Sequence, residues 1–383
     1  MSKEKSGMNT VFLMLLAGVT FGLIIGIIIT YIPDDDSEQY KPTRVAEDGQ
    51  IKELKPEKKA EPVVASSQKI LSLLSTADAL FVSRPGAGVF RSTDGENWET
   101  LRIGMESPRE ALSLVEVRPT QETLAAKIME LSMAEGKTPD PEELKAALME
   151  LAQQKPGILA GMRDGRIMRL DDDRWSQIST LPSEGGGVHA LAYEPAVGLA
   201  ACTGRGLYFS DDGGHNWTAV TNNSLTRDVL LGLDPKFRFI IAHISGGLSL
   251  CDSKGACEKI AGGPQRIRCL LGDKALAKTY YGSDGDGLWL YKRGGKPEQV
   301  TTSALDTADI HDIARIGARL IVAAGPSGLW MRKSEKSGWY PGRGLPPDSI
   351  TTTAVFKGRV YAGSLKYGLF SAALDDADFK SVF

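Results

Sequence analysis

The 383 residues carry 45 Lys and Arg against 48 Asp and Glu, a formal net charge of -3, and 42% of them are hydrophobic. That is enough apolar material for a large core, and the near-neutral balance argues against bulk nucleic-acid binding, which favours a strongly basic face. Glycine is in excess at 42 residues, above the usual share of about 7%, which points to many tight turns between short strands.

Residues 1–10 form a short N-terminus carrying Lys3 and Lys5. Residues 11–32, "VFLMLLAGVTFGLIIGIIITYI", contain no charge. At about 1.5 Å per residue such a helix crosses a hydrocarbon layer of about 30 Å. A cleaved signal peptide is the competing reading; the length of the run and the lack of a small-residue cleavage site speak against it. No cysteine lies nearby to carry a lipid. The lysines precede the span and Asp34, Asp35, Asp36 and Glu38 follow it. This predicts a single-pass protein of a bacterial inner membrane, with a cytoplasmic N-terminus and the remainder in the periplasm. Residues 33–66, with Pro33, Pro42, Pro56 and Pro62 among mixed charges, read as a flexible linker.

From residue 67 to 383 one pattern recurs: a strand, a turn, a glycine, an apolar or aromatic pair, and another strand. The marker glycines are Gly88, Gly165, Gly206, Gly247, Gly287, Gly328 and Gly368, spaced 77, 41, 41, 40, 41 and 40 residues apart. A period near 41 fits four short strands, one propeller blade, and seven units fit the range of known propellers. The fold class is all-β, a seven-bladed β-propeller behind an N-terminal transmembrane helix. The long first gap is filled by residues 120–154, where alternation gives way to helical stripes, Leu124, Ile128 and Leu131, then Leu144, Ala147, Leu148 and Leu151. "GKTPDPEE" separates them, with Asp140 as N-cap, Pro141 at N1 and Glu143 closing a capping box. The spacing predicts a helical hairpin inserted between the first two strands of blade two.

"STDGENW" and "SDDGGHNW" place Ser92, Asp94 and Trp98, and Ser210, Asp212 and Trp217, in acidic turns between third and fourth strands. Each carboxylate can fasten its own turn by accepting backbone N–H bonds, and each tryptophan can pack between neighbouring blades. "RLDDDRW" and "KSEKSGW" are weaker versions, and blades four, five and seven read as having lost the turn. These turns resemble the Asp-box, or BNR, repeat of sialidases and related propellers, the first copy being one residue shorter than the usual spacing. With the blade count and the export segment, residues 69–383 resemble the photosystem II stability/assembly factor family and its bacterial relatives. The resemblance implies a non-catalytic propeller that assembles or holds an integral membrane protein or membrane complex. It implies no cofactor, nucleic acid or small-molecule substrate. The uncleaved anchor and the hairpin depart from the family pattern.

The rival function is a sialidase-like or other glycoside hydrolase. Its chemistry needs two carboxylates across a cleft, and Asp164, Asp284, Asp286 and Asp348 fall in loops of one face. The sialidase Arg-Ile-Pro signature is absent, and sialidase propellers have six blades. No catalytic residue is assigned. "GSDGDG" lacks the distal glutamate of a calcium loop, and His189, His215, His243 and His311 lack zinc spacing, so no metal site is assigned. Cys251 and Cys257 flank a hairpin turn, where facing positions reach disulfide distance; four free cysteines are the alternative, and Cys202 and Cys269 read as buried thiols. Arg84, Arg163, Arg205 and Lys366 occupy turns between second and third strands of four contiguous blades, with Arg109, Arg227, Arg266 and Arg343 in or near the inter-blade links. They read either as a partner-binding patch or as scattered solubilising charge. Met129 and Met133 give the hairpin an apolar docking surface.

Overall fold

The computed structural model describes residues 69–117, 156–182, 187–195, 197–222, 224–234 and 236–383, and the backbone of Thr43–Val45 and Ile51–Glu53. The apolar run 11–32 and the stretch 120–154, with Met129 and Met133, lie outside the described residues. Among the described residues no helix is long and apolar enough to cross a membrane. The chain divides into Met1–Lys59 and Ala60–Phe383. In the first unit, Thr43–Val45 pairs antiparallel with Ile51–Glu53.

The second unit is a seven-bladed propeller. Each blade is a four-stranded antiparallel sheet made of strands consecutive in sequence. Blade one runs from Ser72–Ser75 to Glu99–Leu101, blade two from Ala111–Val117 to Arg174–Thr180, and blade three from Val188–Glu194 to Thr218–Ala219. Blade four runs from Thr226–Leu231 to Cys257–Lys259, and blade five from Ile267–Asp273 to Glu298–Gln299. Blade six runs from Asp312–Ile316 to Tyr340–Pro341, and blade seven from Ile350–Phe356 to Lys380–Ser381. The first strand of each blade touches the first strand of the next, and that of blade seven touches that of blade one, so the ring is closed. In blade two the first strand ends at Val117 and the second begins at Gly157, so the intervening segment joins these two strands.

The seven marker glycines all have positive φ, from 75° at Gly287 to 148° at Gly206. L side chains rarely adopt this region, which is why the sequence period is written in glycine. At Gly206 a Cβ would also stand 2.0 Å from the Thr221 carbonyl oxygen.

The core is distributed between blades. Leu159, Ile167 and Leu181 of blade two and its exit pack with Val188, Leu191 and Leu199 of blade three, with Trp217 against them. Leu80, Val82 and Phe90 of blade one pack with Phe356, Tyr361 and Leu369 of blade seven, with Trp98 and Phe383 alongside. Each fully buried aliphatic side chain contributes roughly 1.5–3 kcal/mol, so no blade buries its faces without a neighbour.

Asp94 Oδ1 accepts from the backbone N–H groups of Glu96 and Asn97, each at 2.8 Å, and from the Ser92 hydroxyl at 3.0 Å. Ser92 Oγ accepts from Gly95 N at 2.8 Å. Asp212 repeats the arrangement with His215 N, Asn216 N and the Ser210 hydroxyl. Two expectations about the weaker turns need correction. In blade two, Asp172 and Asp173 form a two-residue turn at φ 45° and 65°, and the tryptophan, Trp175, lies inside the fourth strand. Blade four keeps a fastened acidic turn, because Asp252 Oδ1 accepts from Lys254 N and Ala256 N at 2.8 and 2.9 Å. The turn serine is replaced by Leu250 and the tryptophan by Cys257, which sits opposite Cys251 and is joined to it by a disulfide.

Candidate functional site

The turns between second and third strands open on the same face as the inter-blade links. Asp284 N, in the turn of blade five, donates to Arg266 O of the preceding link at 3.0 Å. Arg163 N, in the turn of blade two, donates to Glu110 O in the same way.

The four cations expected to form an arc on this face do not act alike. Arg84 needs correction as a partner-binding residue: it is 1% exposed, its guanidinium 5.2 Å from both the Phe90 and Phe383 ring centroids. It belongs to the joint between blades one and seven, where burial lowers its pKa. Arg163 is ion-paired with Glu110. Arg205 is half-buried, its N–H bonded to Thr203 Oγ1 at 3.0 Å. Lys366 is exposed beside the exposed Tyr367. Among the flanking links, Arg343 pairs with Asp378 at 2.6 Å and Arg109 donates to Met105 O at 2.9 Å.

Positive charge converges on the other side of the ring. Arg227, Arg266 and Arg268 line one cleft between blades four and five with Ile244, Ile267 and Asp284. Asp284 is ion-paired with both Arg266 and Arg268, accepting from Arg268 Nε at 3.0 Å. Arg227 makes no hydrogen bond or ion pair among the described residues. Arg227 and Arg268 each follow the first residue of an inner strand, where a β-bulge shifts the register between Thr226 and Asp228 and between Ile267 and Cys269. His189 holds the same place in blade three, and His311 stands one residue before the inner strand of blade six, Asp312–Ile316. Burial, then Arg227 and Arg163, push His189 down to about 4. Burial, then Arg268, push His311 down to about 4, with Asp309 opposing and Arg227 adding. Both imidazoles are therefore neutral at pH 7, inside the field of the arginines. Arg268 escaped the sequence reading. Its signal was positional, one residue into an inner strand like Arg227.

Three of the four carboxylates expected on this face, Asp164, Asp284 and Asp348, have partners. Asp164 pairs with Arg166 at 2.8 Å, Asp284 with two arginines, and Asp348 accepts from the Ser364 hydroxyl at 2.9 Å. The carboxyl groups pushed up by burial are Asp228, to about 7, and Asp312. Both accept bonds from the next blade's inner strand, Asp228 from Leu270 N at 2.7 Å and Asp312 from Thr353 N at 2.8 Å.

No protein-family model matches the chain, and no curated protein matches it. Solved structures do. The extracellular domain of BT4673 from B. thetaiotaomicron is similar with a TM-score of 0.57 at 15% identity, over 80% of this chain and 38% of that one. The chain thus spans about two fifths of that relative's length. YCF48 bound to D1 peptide is similar with a TM-score of 0.56 at 13% identity, over 81% of this chain and 95% of that one. The GH74 enzyme of Niastella koreensis is similar with a TM-score of 0.55 at 14% identity, over 81% of this chain and 44% of that one. At these identities the likeness shows the fold, a seven-bladed β-propeller, which enzymes and peptide-binding proteins share.

Proposed function

We propose that this chain is a membrane-anchored, non-catalytic propeller that serves as a scaffold or assembly factor for a membrane-protein complex. Residues 11–32 would hold it in a bacterial inner membrane, with the propeller in the periplasm. The face with the turns between second and third strands would receive an acidic segment of the partner. The observation that carries this reading is the pairing of Asp164 with Arg166 and of Asp284 with Arg266 and Arg268. Those pairs commit two of the carboxylates that a hydrolase would need, while Arg227, which makes no hydrogen bond or ion pair among the described residues, and the exposed Lys366 remain to meet a partner's acidic groups. The likeness to YCF48, seen with D1 peptide, supports the same choice.

The test is co-purification in mild detergent, with mass spectrometry of what stays bound. Reversing Arg205, Arg227 and Lys366 to glutamate is expected to abolish capture at low salt with the fold intact. Deleting residues 120–154 is expected to weaken capture less. Capture that survives charge reversal and fails on deletion moves the docking site to residues 120–154. A glycoside hydrolase is the second reading, favoured by the likeness to the GH74 enzyme. Sugar release from a polysaccharide panel, lost on replacing Asp286 or Asp348, would replace the scaffold reading.

A further inference from the structure

The cleft between blades four and five is built for a ligand of definite charge. Its wall holds three guanidiniums, those of Arg227, Arg266 and Arg268, and one carboxylate, Asp284, an excess of two positive charges. Two of the guanidiniums are already bound to Asp284, and Arg227 stands against them with no hydrogen bond or ion pair among the described residues. Like charges held this close repel: the pKa of Arg268 is lowered by burial first, the Asp309 carboxylate opposes, and Arg227 and Arg266 add to the fall. The walls are fixed by backbone: Asp284 N donates to Arg266 O at 3.0 Å, and Ile244 N to Leu225 O at 2.9 Å. A preorganised cationic cleft loses little on binding an anion, because its repulsion is present before the ligand arrives. Ile244 and Ile267 supply apolar wall beside the charge.

Charge and shape select the anion. A monocarboxylate neutralises one of the two excess charges, whereas a phosphate near neutral pH carries about two. Its tetrahedral oxygens accept from donors approaching along different directions, and guanidinium is the side chain suited to such pairing. His189 and His311, in the blades on either side, are neutral and add no charge.

We propose that the Arg227–Arg266–Arg268 cleft is a binding site for a phosphate dianion, free or carried as a monoester, with Arg227 and Arg268 as its principal donors. This goes beyond the scaffold reading and does not depend on it, since a propeller that captures no membrane protein would still bind phosphate here.

The test is calorimetric titration of the full-length protein in mild detergent with inorganic phosphate, at constant ionic strength against chloride. The expected result is saturable one-to-one binding with Kd at or below about 1 mM. The affinity should weaken at least tenfold in Arg227→Gln and be lost in the Arg227→Gln, Arg268→Gln pair. Arg343→Gln, a surface arginine outside the cleft, is expected to bind as the parent does, and unchanged circular dichroism and melting temperature confirm the folds. No saturable binding, or binding that Arg227→Gln leaves intact, overturns the proposal. Once binding is established, displacement of phosphate by glycerol 3-phosphate marks a soluble ester as the source. Displacement only by phosphatidic acid vesicles, and not by phosphatidylcholine vesicles, marks a lipid headgroup.

Discussion

Trp98 and Phe383 meet edge to face, ring centroids 5.2 Å apart at an interplanar angle of 83°. One ring follows the first acidic turn and the other lies in blade seven, so this contact closes the propeller across the joint between its first and last blades. Ile70 N to Ser364 O at 3.0 Å and the Ser75 hydroxyl to Val355 O at 2.6 Å complete the joint. Trp98→Ala is expected to destabilise by about 2–3 kcal/mol, less than full burial of such a ring would cost, because Trp98 is half-buried. Chemical denaturation measures it; a change under about 0.5 kcal/mol would place the closing energy elsewhere.

The acidic turns should make the fold acid-labile. Hydrogen bonds from Asn97, its side chain first, hold the Asp94 carboxyl far below its ordinary range, and the backbone N–H of Asn216 leads the same effect at Asp212. A pKa depressed in the folded state contributes stability that is present above about pH 4 and lost as pH falls toward the folded value. The Asp94→Ala, Asp212→Ala pair is expected to lower the melting temperature at pH 7 and to flatten its fall between pH 4 and 2. An unchanged slope in that window would show that other carboxylates govern acid unfolding.

Asp228 works with the opposite sign. Burial raises its carboxyl to about 7, outweighing the N–H bonds it accepts from Leu270 and Val229. Its contribution is present below about pH 4 and is lost as pH rises through about 7. Asp228→Asn imitates the protonated form. It is expected to remove this part of the alkaline decline, so that variant and parent differ more at pH 8 than at pH 5. Parallel melting curves across pH 4 to 8 would exclude the effect.

The Cys251–Cys257 bridge closes a loop with a sequence separation of 6. So short a loop constrains the unfolded chain by about 2 kcal/mol in the chain-entropy account. The double serine variant is expected to lose that amount. Cys202 and Cys269 are buried, and burial raises both thiols, so neither should alkylate in native protein. Peptide mapping under non-reducing conditions should find the first pair linked and the second pair free; alkylation of all four would overturn the pairing.

The sequence by itself determined the blade count and the blade boundaries. Every turn between second and third strands needs a left-handed residue, and glycine alone meets that need without steric cost. Gly88 to Gly368 therefore mark the period wherever the side chains around them drift. The acidic turns were legible for the same reason, since Asp94 bonds residues two and three places along its own chain. Tertiary structure alone decided which cations are available. Arg84 and Arg163 both stand where a second strand meets its turn. Yet Arg84 is enclosed by Phe90 and by Phe383, a residue almost three hundred positions away, and Arg163 is taken by Glu110 in the neighbouring link. The cleft was hidden for a related reason. Arg227 and Arg268 are 41 positions apart and become neighbours only when the inner strands of blades four and five stand side by side. Turn chemistry acts over three or four residues and is written locally. Burial and charge pairing act between blades, and the closed ring decides them.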